Sequence, residues 1–311
     1  MDWKWDDLRL FLSVHEHGSF SAAARALNVA QPTLSRRVAE LEASVGETLV
    51  VRQTHGVRLT EPGLKLVTSA QRMAEWAHEA RMQLAHPGHS PSGKVRIAAV
   101  PSIAYVMAPF VASLHRSFPH IQLEIQSSME SRNLGRGEAD LDLRLSPPSH
   151  PDLQCIDCFS APLRVQASRT YAAQLKDGYQ PDDLDWICWA PPHENQPINQ
   201  KIRQLVPNIK PAFTSDNFLV QVSACAAGLG AMVMAKYPPG YGYAFDWVDL
   251  NINLGADAIT TLYLICHKRH LQLQRVEAVI EGIQQEFKVL RERSRQDPAF
   301  AAVWNANPAP G

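Results

Sequence analysis

Between Gln31 and Arg37 the chain places Gln, Pro, Thr, Leu, Ser, Arg and Arg in one short run. Residues of these types suit recognition of nucleic acid. Arginine pairs bidentately with guanine and glutamine with adenine, while serine and threonine hydroxyls serve phosphates and base edges alike. Leu34, Val38, Leu41 and Val45 recur at helical spacing, so the run opens a helix with one buried face. With Leu34 turned inward, the outward arc carries Pro32, Thr33, Arg36 and Glu40. Gln31 and Ser35 flank it on one side and Arg37 on the other. Pro32 costs little in a first turn, where its missing N–H has no partner, and a helix N-terminus favours a phosphate. The same residues also suit an ordinary solvated face of a small helical domain, so the elements around them have to decide.

Those elements begin with a helix over 6–17, with Leu8, Phe11 and Leu12 on one face and Gly18 at its end. Ser21 is expected to cap a second helix over 22–27. Asn28 and Val29 form a tight turn, the third helix runs over 31–45, and Gly46 stops it. Two helices across a tight turn, the second polar outside, make a helix-turn-helix, whose second helix enters the DNA major groove. The segments "TLVV" and "VRL" around "RQTHG" predict a β-hairpin. Thr60, Glu61 and Pro62 start a long helix reaching about residue 84. Leu66, Ala70, Met73, Ala77, Ala80 and Leu84 form a heptad seam along it. Such a seam suits a partner helix; the alternative is packing on its own domain. "HPGHSPSG" at 86–93 is the clearest linker.

Beyond the linker the pattern changes to alternating strands and helices. Strands are expected at "KVRIAAV", "IQLEIQS" and "LDLRL", with helices at 103–117 and 129–137. A second unit begins near 161–165 with "LRVQAS". Helix 169–176, strand "WICWA", helix 198–205, strand "PAFTS", helix 217–227 and strand "AMVMA" follow. "TTLYLICH" leads back to the first unit, 271–292 is the last long helix, and the tail after Gln296 is expected to be loose. The alternation argues for α/β units with a largely parallel sheet.

The composition sets bounds on function. Thirty Lys+Arg stand against 31 Asp+Glu, and residues 1–87 hold ten of each, so DNA binding must use focused charge and more than one copy. Charges from Asp2 onward argue against a signal peptide, and no apolar run approaches the roughly 18 residues of a membrane span. A cytoplasmic location and no membrane partner are expected. Five cysteines fit a reducing compartment better than a disulfide framework.

Residues 6–65 resemble the DNA-binding domain of the LysR-type transcriptional regulators. The resemblance rests on "LRLFLSVHEHGSFSAAARALNVAQPTLSRRVAELEASVG" and "LVVR…VRLTEPG". A weaker similarity covers 94–290, through "VRIAAVPSIAYVMAPFVASLHRSFPHIQLEI", "GEADLDLRL" and "AAGLGAMVM". It implies an α+β multidomain protein: a winged helix-turn-helix (1–61), a linker helix and hinge (62–93), and an effector-binding domain (94–311). The last would be a pair of α/β subdomains like a periplasmic binding protein, about 94–161 with 266–293, and about 162–265. By motif position, Gln31, Pro32, Thr33, Ser35, Arg36 and Arg37 would contact double-stranded DNA. Ser21, Arg52 and Thr60 would support phosphate contacts, and Arg52 and Arg58 would flank the wing loop. The resemblance further implies a small-molecule effector, self-association as a dimer or tetramer, and RNA polymerase as a partner of any activator. Ala30 stands where the family has Ser or Thr, Ala235 where it has Pro, and Arg144 where the side chain is small.

Ligands of paired α/β units bind at the carboxyl ends of strands. Ser102, Ser128, Trp189, His193, Thr214 and Ser215 lie at such ends, and Arg144 offers a positive charge. A carboxylate effector is therefore expected; the alternative is that Arg144 makes a structural salt bridge and the tryptophans are core. Cys155 and Cys158, His86 with His89, and His267 with His270 lack the companion ligands of a metal site. No cofactor and no catalytic motif is expected. The competing reading is a solute-binding or enzymatic α/β protein that shares only the C-terminal fold.

Overall fold

The computed structural model describes residues 4–53, 56–85, 90–238, 241–242, 245–255, 257–301 and 303. Contacts divide the chain into two compact units, 1–93 with 135–138, and 94–134 with 139–311. Residues 86–89 of the linker, with His86 and His89, lie outside the described residues, as do the wing tip at 54–55 and the end of the tail, 304–311.

In the first unit, α1 (Trp5–His17) carries Asp6 and Asp7 in its first turn and ends on Gly18 in the left-handed region. Helix α2 (Phe20–Leu27) starts two residues earlier than expected. Ser19, not Ser21, is its cap, accepting from the Ala22 N–H at 3.1 Å. Asn28, with φ 53°, closes the turn to α3 (Gln31–Val45). Leu34, Val38 and Leu41 are buried against Phe11, Phe20 and Ala23. Strands β1 (Val50–Gln53) and β2 (Gly56–Leu59) pair antiparallel as the wing. Gly56 has φ +129°, and a Cβ there would stand 2.5 Å from the Gly18 carbonyl oxygen, so only glycine lets the wing sit on the α1–α2 turn.

Helix α4 (Glu61–Ala85) splits the heptad reading in two. Ala70 is fully buried and Leu66 packs on the same core, so the start of the seam belongs to its own unit. Leu64, Met73 and Trp76 are exposed apolar side chains. The side chains of Ala80 and Leu84 lie outside the described residues.

The second unit is built on one mixed sheet. Its strands are β3 (Gly93–Ala99), β4 (Ile121–Ser127), β5 (Leu141–Arg144), β6 (Leu153–Ser168), β9 (Ala231–Ala235), β10 (Trp247–Asp249) and β11 (Ile259–His267). Their order is β10-β6-β11-β5-β3-β4, with β9 also on β6. Only part of the expected parallel character is found: β3 and β5 are parallel, but β11 runs antiparallel to β5 and β6. Strands β7 (Ile187–Trp189) and β8 (Phe213–Ser215) form a separate parallel pair. Sixteen-residue β6 joins two cores: its first part pairs with β11, and Leu163 onward pairs with β9. One core holds Val95, Ile97, Leu141 and Phe159 under the long helix Gln274–Ser294; the other holds Val165, Trp186, Ile202 and Val233.

Three local expectations are corrected. The helix expected over 103–117 is two, α5 (Pro101–Val106) and α6 (Ala108–Ser117), broken before Pro109, which has no N–H to continue the ladder. Over 129–137 only a 3₁₀ turn, Leu134–Arg136, forms. The tail is not loose throughout: Phe300 is fully buried, its ring centroid 6.4 Å from that of Phe159.

Candidate nucleic-acid interface and ligand cavity

The start of α3 sorts its polar residues into two groups. Gln31, Pro32, Thr33 and Arg36 are exposed, and the Arg36 side chain keeps 73% of its surface. Its nearest acid, Glu40, is 3.6 Å away and also exposed, a pair that costs little to break. Ala30 gives no side-chain cap, so the N-terminal donors of α3 are unanswered on that side.

The second group is committed inside the unit. Arg37 donates from Nε to Asp7 Oδ1 at 2.6 Å and also reaches Asp6 at 3.5 Å. Asp7 holds the guanidinium above its ordinary pKa, chiefly through that hydrogen bond. Ser35 accepts a hydrogen bond from Arg52, whose guanidinium also lies 4.8 Å over the Phe20 ring. Thr60 Oγ1 donates to the Thr48 carbonyl at 2.6 Å and accepts from Gly63 N at 3.1 Å, as the cap of α4. Arg37 and Thr60 are thus placed as internal ties, not as free contacts.

Ser21 is exposed in the first turn of α2, and Arg58 is exposed on β2. Arg58 pairs across the hairpin with Val51, and Arg52 with Val57, so the two arginines point to opposite faces of the wing. One residue passed over in the sequence sets the wing's position. Glu42 accepts from the Leu49 and Val50 N–H groups at 2.7 and 2.9 Å. Its signal was available: an acid near a helix C-terminus opposes the helix dipole and needs another partner.

In the second unit a cavity of about 110 Å³ lies between the two cores. That compares with roughly 150 Å³ for an engineered protein cavity that admits benzene. Val100, Phe159, Leu163, Trp189, Phe218 and Met234 supply most of its wall. Ser102 lines it, and so does Trp189, which stacks on Phe218 at 5.9 Å and meets the His193 ring edge-on at 5.7 Å. Burial pushes the phenol of Tyr237, another wall residue, up to about 12.

The remaining expected effector residues are elsewhere. Ser128 Oγ accepts from Glu130 N, and Ser215 Oγ from Asn217 N, while Thr214 is exposed on β8. Arg144 is corrected as the charge partner. It is buried, donates from Nε to Asp142 at 2.7 Å, and donates to the carbonyls of Ser128, Met129 and Glu130. Among the described lining residues there is neither lysine nor arginine, so a carboxylate meets no cation in this cavity.

On β6 Cys155 is exposed and Cys158 half-buried, and a bulge against β11 at Leu264 and Ile265 bends this stretch. Burial, each other's proximity and Asp157 push the Cys155 thiol up, which disfavours the reactive thiolate. Among the described residues no group of three or more His, Cys, Asp or Glu is arranged to hold a metal ion.

Comparison with known proteins agrees with both halves. The family described as "Bacterial regulatory helix-turn-helix protein, lysR family" matches residues 5–64, and "LysR substrate binding domain" matches residues 88–288. An HTH-type transcriptional regulator of Xanthomonas campestris pv. campestris is 33% identical over 58% of this chain, a match that spans only 53% of that regulator's length. The HTH-type transcriptional regulator CrgA of Neisseria meningitidis is 28% identical over 75% of this chain and 79% of its own. Its solved structure aligns over 91% of this chain and 98% of that one, with TM-score 0.54 and 23% identity. A full-length OxyR variant from Pseudomonas aeruginosa aligns with TM-score 0.59 at 22% identity, over 91% of this chain and 98% of that one.

Proposed function

We propose a division of labour for this chain, which belongs to the LysR family of bacterial regulatory helix-turn-helix proteins. It is a transcriptional regulator in which residues 1–61 bind double-stranded DNA, 62–93 link and dimerise, and 94–311 sense a small molecule. Helix α3 enters the major groove, with Gln31, Thr33 and Arg36 at base edges and Pro32 beside them. Ser21, Arg58 and the wing approach phosphates. Arg37, Ser35, Arg52 and Thr60 hold that surface in shape. The observation that carries the reading is the sorting within α3: Arg36 is solvent-facing while its neighbour Arg37 is tied to Asp7.

The effector is an apolar, ring-sized molecule in the cavity that Trp189 and Ser102 line. It shifts DNA binding only as far as it prefers one arrangement of the chain over another. Self-association runs through the exposed apolar residues of α4. The cytoplasm is the proposed location; among the described residues no helix is long and apolar enough to cross a membrane. If the bound protein activates transcription, RNA polymerase is its further partner.

The test is selection of bound DNA from sheared genomic fragments, followed by competition in fixed salt. Arg36→Ala is expected to weaken the selected site by about 1–3 kcal/mol while leaving random DNA nearly unchanged. Equal loss on both would make Arg36 a phosphate contact, and no enrichment of any fragment would sink the regulator reading.

A further inference from the structure

The floor of the apolar cavity is a patch of β6 and β11. Strand pairing sets Ala161 opposite Thr260 and Phe159 opposite Leu262. Side chains alternate faces along a strand, so Phe159, Ala161, Leu163, Thr260 and Leu262 share one face. All five line the cavity. Ser160 and Thr261 lie between them in register and face the other way.

The two faces treat their hydroxyls differently. On the far face Ser160 and Thr261 stand opposite each other and share a hydrogen bond of 2.8 Å. On the cavity face Thr260 stands opposite Ala161, whose methyl group has nothing to offer it. Thr260 Oγ1 makes no hydrogen bond with a described residue, and it is not sealed from solvent. One reachable hydroxyl is thus set in a floor of apolar side chains.

That hydroxyl constrains what can fill the cavity. A wholly apolar ligand strips it of water and leaves it unanswered, which costs free energy. A charged group finds no Lys, Arg, Asp or Glu among the described lining residues. The volume, about 110 Å³, holds one ring and little beside it. A hydroxyl is a small substituent that both donates and accepts, as the threonine does. Phe159, Trp189 and Phe218 give the ring an aromatic wall. Leu145 lines the cavity and is also exposed, so the cavity reaches the surface there.

We propose that the cavity takes a neutral ring compound bearing one hydroxyl, which hydrogen-bonds to Thr260 Oγ1. The proposal rests on the reading of this cavity as the effector site. It adds the residue that recognises the polar group and the chemical class of the ligand.

The experiment is calorimetry on the full chain at neutral pH with phenol, toluene and benzoate. Phenol and toluene differ only by a hydroxyl in place of a methyl group. Thr260→Val makes the same exchange in the protein and keeps the side chain β-branched. It should weaken phenol about threefold to tenfold, the worth of one neutral hydrogen bond, and leave toluene as tight or tighter. Thr260→Ser, which keeps the hydroxyl, should bind phenol as the wild type does. With threonine labelled by ¹³C at its methyl group, the resonance that Thr260→Val removes should shift on adding either ring. Benzoate binding more tightly than phenol overturns the neutral ligand. Gln196 also lines the cavity, and phenol weakened by Gln196→Leu but indifferent to Thr260→Val overturns the role of Thr260. In both of those cases the cavity still stands as a ligand site. If neither phenol nor toluene binds or moves the Thr260 methyl resonance, both readings fall.

Discussion

The Arg37 guanidinium lies on the Asp7 carboxylate, Nε to Oδ1 2.6 Å, and ties the recognition helix to the first turn of α1. Both side chains are mostly buried, at 28% and 14% exposure, so the pair sits where solvent screens it only in part. Arg37→Ala should therefore act on the fold first. A loss of about 1–2 kcal/mol in urea denaturation is expected, with specific and random DNA affinity falling together where the helix loosens. An unchanged denaturation midpoint combined with a loss confined to one DNA sequence would return Arg37 to the reading surface.

Arg144 presents the converse case, a cation expected at a ligand and found in the core. Asp142 and Arg144 are two apart on β5, on one face, and both are at least 95% buried. Removing the arginine leaves a buried carboxylate and three carbonyls without their donor. Arg144→Ala should cost about 3–5 kcal/mol, the typical result of breaking a buried pair from one side. Equilibrium denaturation checks this. A variant of wild-type stability that has lost its response to an effector would restore the ligand role.

On α4 the apolar side chains of Leu64 and Met73 are exposed among the described residues. We expect Met73→Glu in the full chain to lower the sedimentation coefficient at micromolar concentration, because it places a charge in an apolar interface. A species distribution identical to wild type would remove this face from the assembly. The DNA affinity of the variant should fall as well, since a single copy carries little net positive charge.

What could be read in advance follows from how local the cause is. The recognition helix was legible because its buried face, its proline and its closing glycine all lie within sixteen residues, Gln31 to Gly46. The wing was legible for the same reason. Ser19 and Ser21 are two equally good caps by type, and only packing of Phe20 into the core chooses between them. The partners of Ser35, Arg37 and Glu42 are decided by tertiary approach, so their division from Arg36 is not written in the helix itself. Ser102 and Trp189 line the cavity of the second unit, and they were legible as strand-end residues because strand ends are local features. Phe159 and Leu163 come from the two parts of β6 and Phe218 from the helix Phe218–Ala226, and only the passage of β6 between the cores brings them together.

The C-terminal segment shows the same limit and gives a sharp test. "DPAF" begins with an ordinary turn signal: Asp297 caps a 3₁₀ turn by accepting from Ala299 N at 2.9 Å. That turn drives Phe300 into the core beside Phe159 and Phe287, whose rings stand 6.3 Å apart. Arg164 secures the backbone by donating to the Ala299 carbonyl at 3.0 Å. Phe300→Ala should cost about 3–5 kcal/mol, as buried phenylalanine truncations do, and Phe300→Leu much less. Because Phe159 also lines the cavity of the second unit, the alanine variant should weaken the binding of any ligand held there even under conditions where it remains folded. A chain ending after Gln296 with wild-type denaturation behaviour would show that this segment contributes no packing, and the account of Phe300 would have to be abandoned.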